Sequence, residues 1–163
     1  MLIPRSEHAA MTKEHSSLDL TPGASRRSAE TQPRVLIIED DPCQAELLQR
    51  WLLASGLSLS VAADAAAARR ILAKERFELV IADVGLPDGS GLEVLKELRQ
   101  SAPGTSTMLI TAQAELDLAL EALRSKVDDL LPKPLRREAL AEKAVSLAWT
   151  ARERQLQRRR VLA

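Results

Sequence analysis

The chain has 163 residues, 23 Lys or Arg balanced by 23 Asp or Glu, and an ordinary hydrophobic share of 45%. Zero formal charge gives no bulk electrostatic reason to bind nucleic acid or a membrane surface. The single cysteine, Cys43, excludes an internal disulfide framework and fits a reducing cytoplasm, and no apolar window approaches the roughly 18 residues of a membrane span.

Residues 1–33 are polar, mixed in charge and without periodicity, so they are expected to form a disordered arm, with Met11 as an alternative start. Arg5, Glu7, Lys13 and Glu14 interrupt any apolar run, which argues against a signal peptide. Order is expected from Arg34. Val35-Leu36-Ile37-Ile38 reads as a buried parallel strand stopped by Glu39-Asp40-Asp41. Asp41 and Pro42 then open a helix, with Gln44 placed for a near capping box and Ala45, Leu48 and Leu52 on its inner stripe. Gly56 ends that helix, and Leu57, Leu59 and Val61 alternate with serines as an edge strand.

Asp64 can cap an Ala-rich helix over residues 65–74. The next strand, Phe77 to Asp83, ends on a carboxylate, and the Gly- and Pro-rich loop 84–91 leads to a helix over residues 92–100. Residues 106–111 form another strand, and Leu116, Leu120 and Leu123, with Ala119 beside them, mark a fourth helix. Leu130-Leu131 is a very short fifth strand closed by Pro132-Lys133-Pro134. A last helix runs from about Arg136 with Leu140, Ala144, Leu147 and Ala141, Val145, Ala148 as its apolar face, complete by Trp149. The near absence of aromatics makes the core aliphatic. Five strand–helix repeats imply an α/β domain, a doubly wound parallel sheet with helices on both faces.

In a parallel sheet all carboxyl ends share one edge, so Glu39-Asp40, Asp83, Thr111 and Lys133 are expected to converge there. Singly each has a bland reading as a cap, loop acid or turn residue. Together, Ile38-Glu39-Asp40-Asp41, Asp83 with Leu86-Pro87-Asp88-Gly89-Ser90-Gly91, Thr111-Ala112 and Lys133-Pro134 make the chain resemble a bacterial two-component response-regulator receiver domain over residues 34–149.

That resemblance implies a flavodoxin-like (βα)5 fold with strand order 2-1-3-4-5. It implies a single-domain switch that accepts a phosphoryl group on Asp83 from a sensor histidine kinase or a histidine phosphotransfer protein. Glu39, Asp40, Asp83 and the backbone carbonyl of Gly85 match the family's Mg2+ ligands. Lys133 and the Thr111 hydroxyl match its phosphoryl contacts, and the Lys133-Pro134 bond matches a cis peptide. Oxygen ligands, retained water and phosphate suit magnesium. The chain departs from the family at Leu130, where many receivers carry Tyr or Phe, and at Lys126-Val127, which replaces a Gly-Ala turn. Both departures lie on the face the family uses for output, so an unusual protein partner is expected there. Gly85 and Gln113 occupy positions that tune dephosphorylation in the family.

Residues 150–163 carry Arg152, Arg154, Arg158, Arg159 and Arg160 and read as a basic helical extension, solvated and fraying. The tail also offers a surface for a homodimer or an acidic partner, with too few apolar residues for a coiled coil. A cytoplasmic, non-enzymatic phosphorelay switch is therefore expected. The alternatives are a phosphorylation-independent adaptor acting through the altered output face and a nucleic-acid binder acting through the tail. The intact Asp83, Thr111 and Lys133 argue against the first, and the short tail and zero net charge against the second.

Overall fold

The computed structural model describes residues 32–112 and 116–163. Most of the expected N-terminal arm, residues 1–31, and the loop residue Gln113 lie outside the described residues. The strands of the main sheet are β1 (Arg34–Ile38), β2 (Ser58–Ala62), β3 (Leu79–Asp83), β4 (Ser106–Thr111) and β5 (Asp129–Pro132). The helices are α1 (Pro42–Leu53), α2 (Ala65–Lys74), α3 (Gly91–Ser101), α4 (Leu116–Arg124) and α5 (Arg137–Leu162). All strand pairs are parallel, in the spatial order β2-β1-β3-β4-β5. This is the flavodoxin-like doubly wound sheet that the sequence led us to expect.

The strand pleat sorts the core into two layers, because successive side chains point to opposite faces. Leu36, Ile38, Val80, Ala82 and Leu109 meet α2 and α3 through Ala65, Ala68, Leu92 and Leu95. Val35, Ile37, Leu79, Ile81, Met108 and Ile110 meet α1 and α5 through Leu48, Leu52, Leu140 and Ala144. Both β3 and β4 are buried along their whole length, as central parallel strands covered on both faces are.

The helix starts follow local chemistry. Asp41 Oδ1 accepts from the backbone N–H of Cys43 (2.8 Å) and of Gln44 (3.3 Å), and Asp64 accepts from Ala67 N–H (2.6 Å). The reciprocal half of the expected capping box is supplied by another residue, since Asp41 N–H donates to Glu39 Oε1 at 3.1 Å. Before α3, a two-residue hairpin pairs Gly85–Leu86 with Gly89–Ser90, a detail too short to leave a periodic signal.

Two helices depart from the pattern reading. In α4, Leu120 and Leu123 are 40% and 70% exposed, whereas Ala122 is buried and Leu118 packs on the core. The buried contact of this helix is thus made by a small side chain, which permits close approach. In α5, the apolar face is not complete by Trp149. The helix continues unbroken to Leu162, Ala151 is fully buried, and Trp149 is 45% exposed. Past Trp149 the helix crosses the amino-terminal edge of the sheet. There Arg154 Nη2 donates to Ser106 Oγ (2.9 Å), Gln155 Nε2 donates to the Phe77 carbonyl (3.3 Å), and Arg152 lies 3.9 Å from Glu78. The surface it meets is made of strand ends, so polar side chains dock where a hydrophobic stripe would be expected.

Candidate functional site

The strand register places every candidate residue at one edge. Ile38 is level with Ala62 and Ala82, Asp83 with Ile110, and Thr111 with Pro132. Glu39 therefore leaves β1 beside the Asp83 end of β3, while Lys133 leaves β5 beside Thr111. The backbone holds the rim together through Val84 N–H to the Ile110 carbonyl (2.9 Å) and Lys133 N–H to the Thr111 carbonyl (2.7 Å). A cavity of about 480 Å3 opens between them, lined by Glu39, Asp40, Asp83, Gly85, Thr111 and Lys133 together with Asp41 and Gln44.

Inside it, Glu39, Asp83 and Thr111 are buried at 3%, 8% and 2% exposure, and Asp40 stands exposed on the rim. Asp83 Oδ1 accepts from Gly85 N–H at 2.9 Å, and Asp83 Oδ2 accepts from the Lys133 ammonium. The same ammonium lies 3.7 Å from Glu39 Oε2. That oxygen is buried and makes no hydrogen bond among the described residues. Burial pushes the Glu39 carboxyl up to about 7. The Asp41 N–H pulls against that shift, the nearby Asp83 adds to it, and Lys133 offsets part of it. Lys133 is held above its ordinary value: burial works to lower it, but pairing with Asp83 and Glu39 wins. The Lys133–Pro134 bond is cis.

Gly91 has a role that its place in the loop did not disclose. A Cβ there would sit 1.9 Å from the Asp83 carbonyl oxygen and 2.8 Å from its carbon. The first turn of α3 thus presses directly on the strand end that presents Asp83, and only a residue without a side chain fits. Gln44 was legible only as a capping residue and Asp41 as a cap and part of the acidic motif, and their place in the cavity wall follows from the turn between β1 and α1.

The set suits a hard cation that keeps its water. Among the described residues no three His, Cys, Asp or Glu side chains are grouped closely enough to hold a metal together. Magnesium rarely uses such a cage and is ordinarily held by one or two carboxylates with water and phosphate oxygens. Glu39 Oε2, buried without a hydrogen bond, offers it an oxygen acceptor, and Asp40, Asp83 and Gly85 line the same space.

Residues 35–145 match the family of the response regulator receiver domain. The chain belongs to that family. Over 105 residues, 64% of this chain, the receiver is 38% identical to the response regulator protein PilR of Pseudomonas aeruginosa, covering 24% of that protein. Among solved structures it is similar to a CheY-like response regulator receiver domain protein from Methanospirillum hungatei JF-1, at TM-score 0.70 and 27% identity, covering 76% of this chain and 99% of that one. It is also similar to the response regulator protein TrrA of Thermotoga maritima, solved in complex with Mg2+–BeF, at TM-score 0.65 and 28% identity, covering 71% and 99% of the two chains. The receiver spans between about a quarter and a half of the curated relatives it matches: 24%, 43% and 47%. Receivers of this family are signalling switches that work with histidine kinases or phosphotransfer proteins and bind Mg2+. No helix among the described residues is long and apolar enough to cross a membrane.

Proposed function

We propose that this receiver accepts a phosphoryl group on Asp83 from the phosphohistidine of a kinase or phosphotransfer protein in the cytoplasm, and that the phosphorylated form changes how it binds a partner protein. The observation that carries the reading is the Asp83 carboxylate. It ends a buried strand on the floor of a polar cavity and is held by Lys133 and the Gly85 N–H. A carboxylate oxygen of Asp83 forms the new O–P bond as the P–N bond to the donor histidine breaks, and the released imidazole takes up a proton. Phosphoryl transfer asks a protein mainly for positioning and for positive charge on the transferred oxygens. Lys133 supplies that charge from a position already oriented toward Asp83, and the Thr111 hydroxyl borders the space the phosphoryl oxygens would enter.

Magnesium fits beside these groups, with Glu39, Asp40, Asp83 and the Gly85 carbonyl as the residues that would hold it. When bound, it supplies further positive charge to the phosphoryl oxygens. The carboxylates of Glu39 and Asp40 have no proton to remove from an ionised nucleophile, so their use is to hold this cation.

The test is to incubate the full chain with a small phosphoryl donor and magnesium and weigh the intact protein. The wild type should gain one phosphate and Asp83→Asn none. Full phosphate incorporation in Asp83→Asn would move the acceptor elsewhere. A wild type that gains no phosphate, yet binds its partner equally with and without donor, would favour the phosphorylation-independent adaptor.

A further inference from the structure

On the edge of the sheet opposite Asp83, a second cavity of about 260 Å3 lies between the turn that precedes β4 and the last turns of α5. Its wall includes Arg76, Gly104, Thr105, Gln155, Arg158 and Arg159. Gly104 lies against α5, where a Cβ would touch Gln155 Cγ at 3.4 Å and Arg158 Nη1 at 3.9 Å. The three guanidinium groups share this cavity, and none has an ion pair or hydrogen bond among the described residues. The acids nearby are already engaged: Glu75 pairs with Arg34, and Glu78 lies beside Arg152 and accepts from Arg34 N–H.

We propose that this cavity is a binding site for a small phosphorylated anion, separate from the Asp83 site and independent of the function proposed for it. Three arginines line a space just below the roughly 300–1,000 Å3 of ordinary ligand pockets, which suits a phosphate or pyrophosphate group. Guanidinium forks match phosphate oxygens two at a time. The competing account is that the arginines answer the carboxyl ends of α2 and α3, which finish at Lys74 and Ser101 nearby. Each helix end carries about half a negative charge. Together they amount to roughly one negative charge against three positive ones, so an excess remains for a multiply charged ligand. The hydroxyls do not share in the recognition: Ser101 Oγ donates to the Glu97 carbonyl at 3.1 Å and Thr105 Oγ1 to the Phe77 carbonyl at 2.8 Å. Recognition therefore rests on the arginines.

The probe is inorganic pyrophosphate, titrated calorimetrically into the full chain in metal-free buffer at fixed ionic strength. One site per chain, with a dissociation constant of about 1 mM or below, is expected. Arg158→Ala/Arg159→Ala and Arg76→Ala should each weaken it about tenfold or more. Arg70→Ala/Arg124→Ala, which removes as much exposed charge elsewhere as the double variant, should leave it unchanged. Equal weakening in the two double variants would reduce the effect to bulk charge and overturn the site. Absence of pyrophosphate binding would overturn it too, including a result in which single-stranded DNA or phosphatidylserine vesicles bind the same arginines instead. The substituted side chains are exposed, so urea midpoints within error of the wild type serve as the folding control.

Discussion

Lys133 is shared between two carboxylates, and much of the site's metal-free stability passes through it. Without its ammonium, Glu39 and Asp83 would face each other with only backbone donors for compensation. Removing one partner of a buried pair leaves uncompensated charge and can cost about 3–5 kcal/mol. The half-open position of Lys133 moderates this to about 1–3 kcal/mol for Lys133→Ala. A bound cation would occupy the same carboxylates, so magnesium should stabilise Lys133→Ala more than the wild type. Urea unfolding of both proteins with and without magnesium measures the two gains; equal gains would show that lysine and metal do not compete for the same oxygens. Gly91 offers a second test at this scale. Gly91→Ala puts a methyl group 1.9 Å from the backbone oxygen of Asp83, and backbone cannot swing aside as a flexible side chain does. Overpacking of this kind costs about 1–3 kcal/mol. The variant should unfold at lower urea and accept phosphate more slowly. Wild-type values for both would mean that the α3 start relaxes freely.

At the scale of elements, the loop after β3 does more than connect. Asp88, in the hairpin that follows Asp83, accepts from the N–H groups of Ala65 (2.8 Å) and Ala66 (2.9 Å), and so caps α2 from a distance. Those bonds hold its carboxyl below the ordinary Asp value of 3.8, with the Ala65 N–H as the largest cause. A depressed folded value means that the charged carboxylate stabilises the fold fully above that ordinary value. The contribution disappears as pH falls through the lower, folded value. The stability difference between wild type and Asp88→Asn should be constant from neutral pH down to about 5 and shrink below about 4. Urea midpoints across that range read it, and a difference that persists unchanged at the lowest pH would remove the carboxylate's charge from the account. Lys126 is a further element-scale departure. It closes α4 at φ +57°, a left-handed conformation usually given to glycine, at the position where the family carries Gly.

For the whole molecule, the long α5 changes where the domain ends. Truncation after Trp149 would remove the buried Ala151 and the contacts of Arg152, Arg154 and Gln155 with the amino-terminal ends of β3 and β4. With about 1 kcal/mol for each hydrogen bond, the loss should reach about 2 kcal/mol or more. Asp83, the proposed phosphoacceptor, lies at the opposite edge, so phosphorylation of the truncated chain should persist wherever it remains folded. Thermal unfolding and intact mass of the two forms check both halves. A truncated protein as stable as the full one would show that the tail merely rests on the surface.

The sequence by itself determined the alternation of strands and helices, the caps at Asp41 and Asp64, and the edge on which Glu39, Asp40, Asp83, Thr111 and Lys133 meet. Those features follow from local rules: apolar runs end where the sheet ends, and parallel pairing sends every carboxyl end the same way. Only the tertiary structure decided what each of these residues faces. Lys133 could not be assigned to both carboxylates before the ends of β1, β3 and β5 met at one edge of the sheet, whereas the Glu39 contact with the Asp41 N–H is set locally by the turn after β1. The inward face of α4 was not legible because Ala122 packs where Leu120 and Leu123 do not, and small residues carry little hydrophobic signal. The end of α5 was misread for a related reason. Its contacts past Trp149 are made by alanine, arginine and glutamine to strand ends, and a backbone carbonyl or a lone serine hydroxyl has no signature in an amphipathic pattern. The arginine cavity is the same case. Arg76 is separated by about 80 residues from Arg158 and Arg159, and only the crossing of α5 over the β4 turn brings them together.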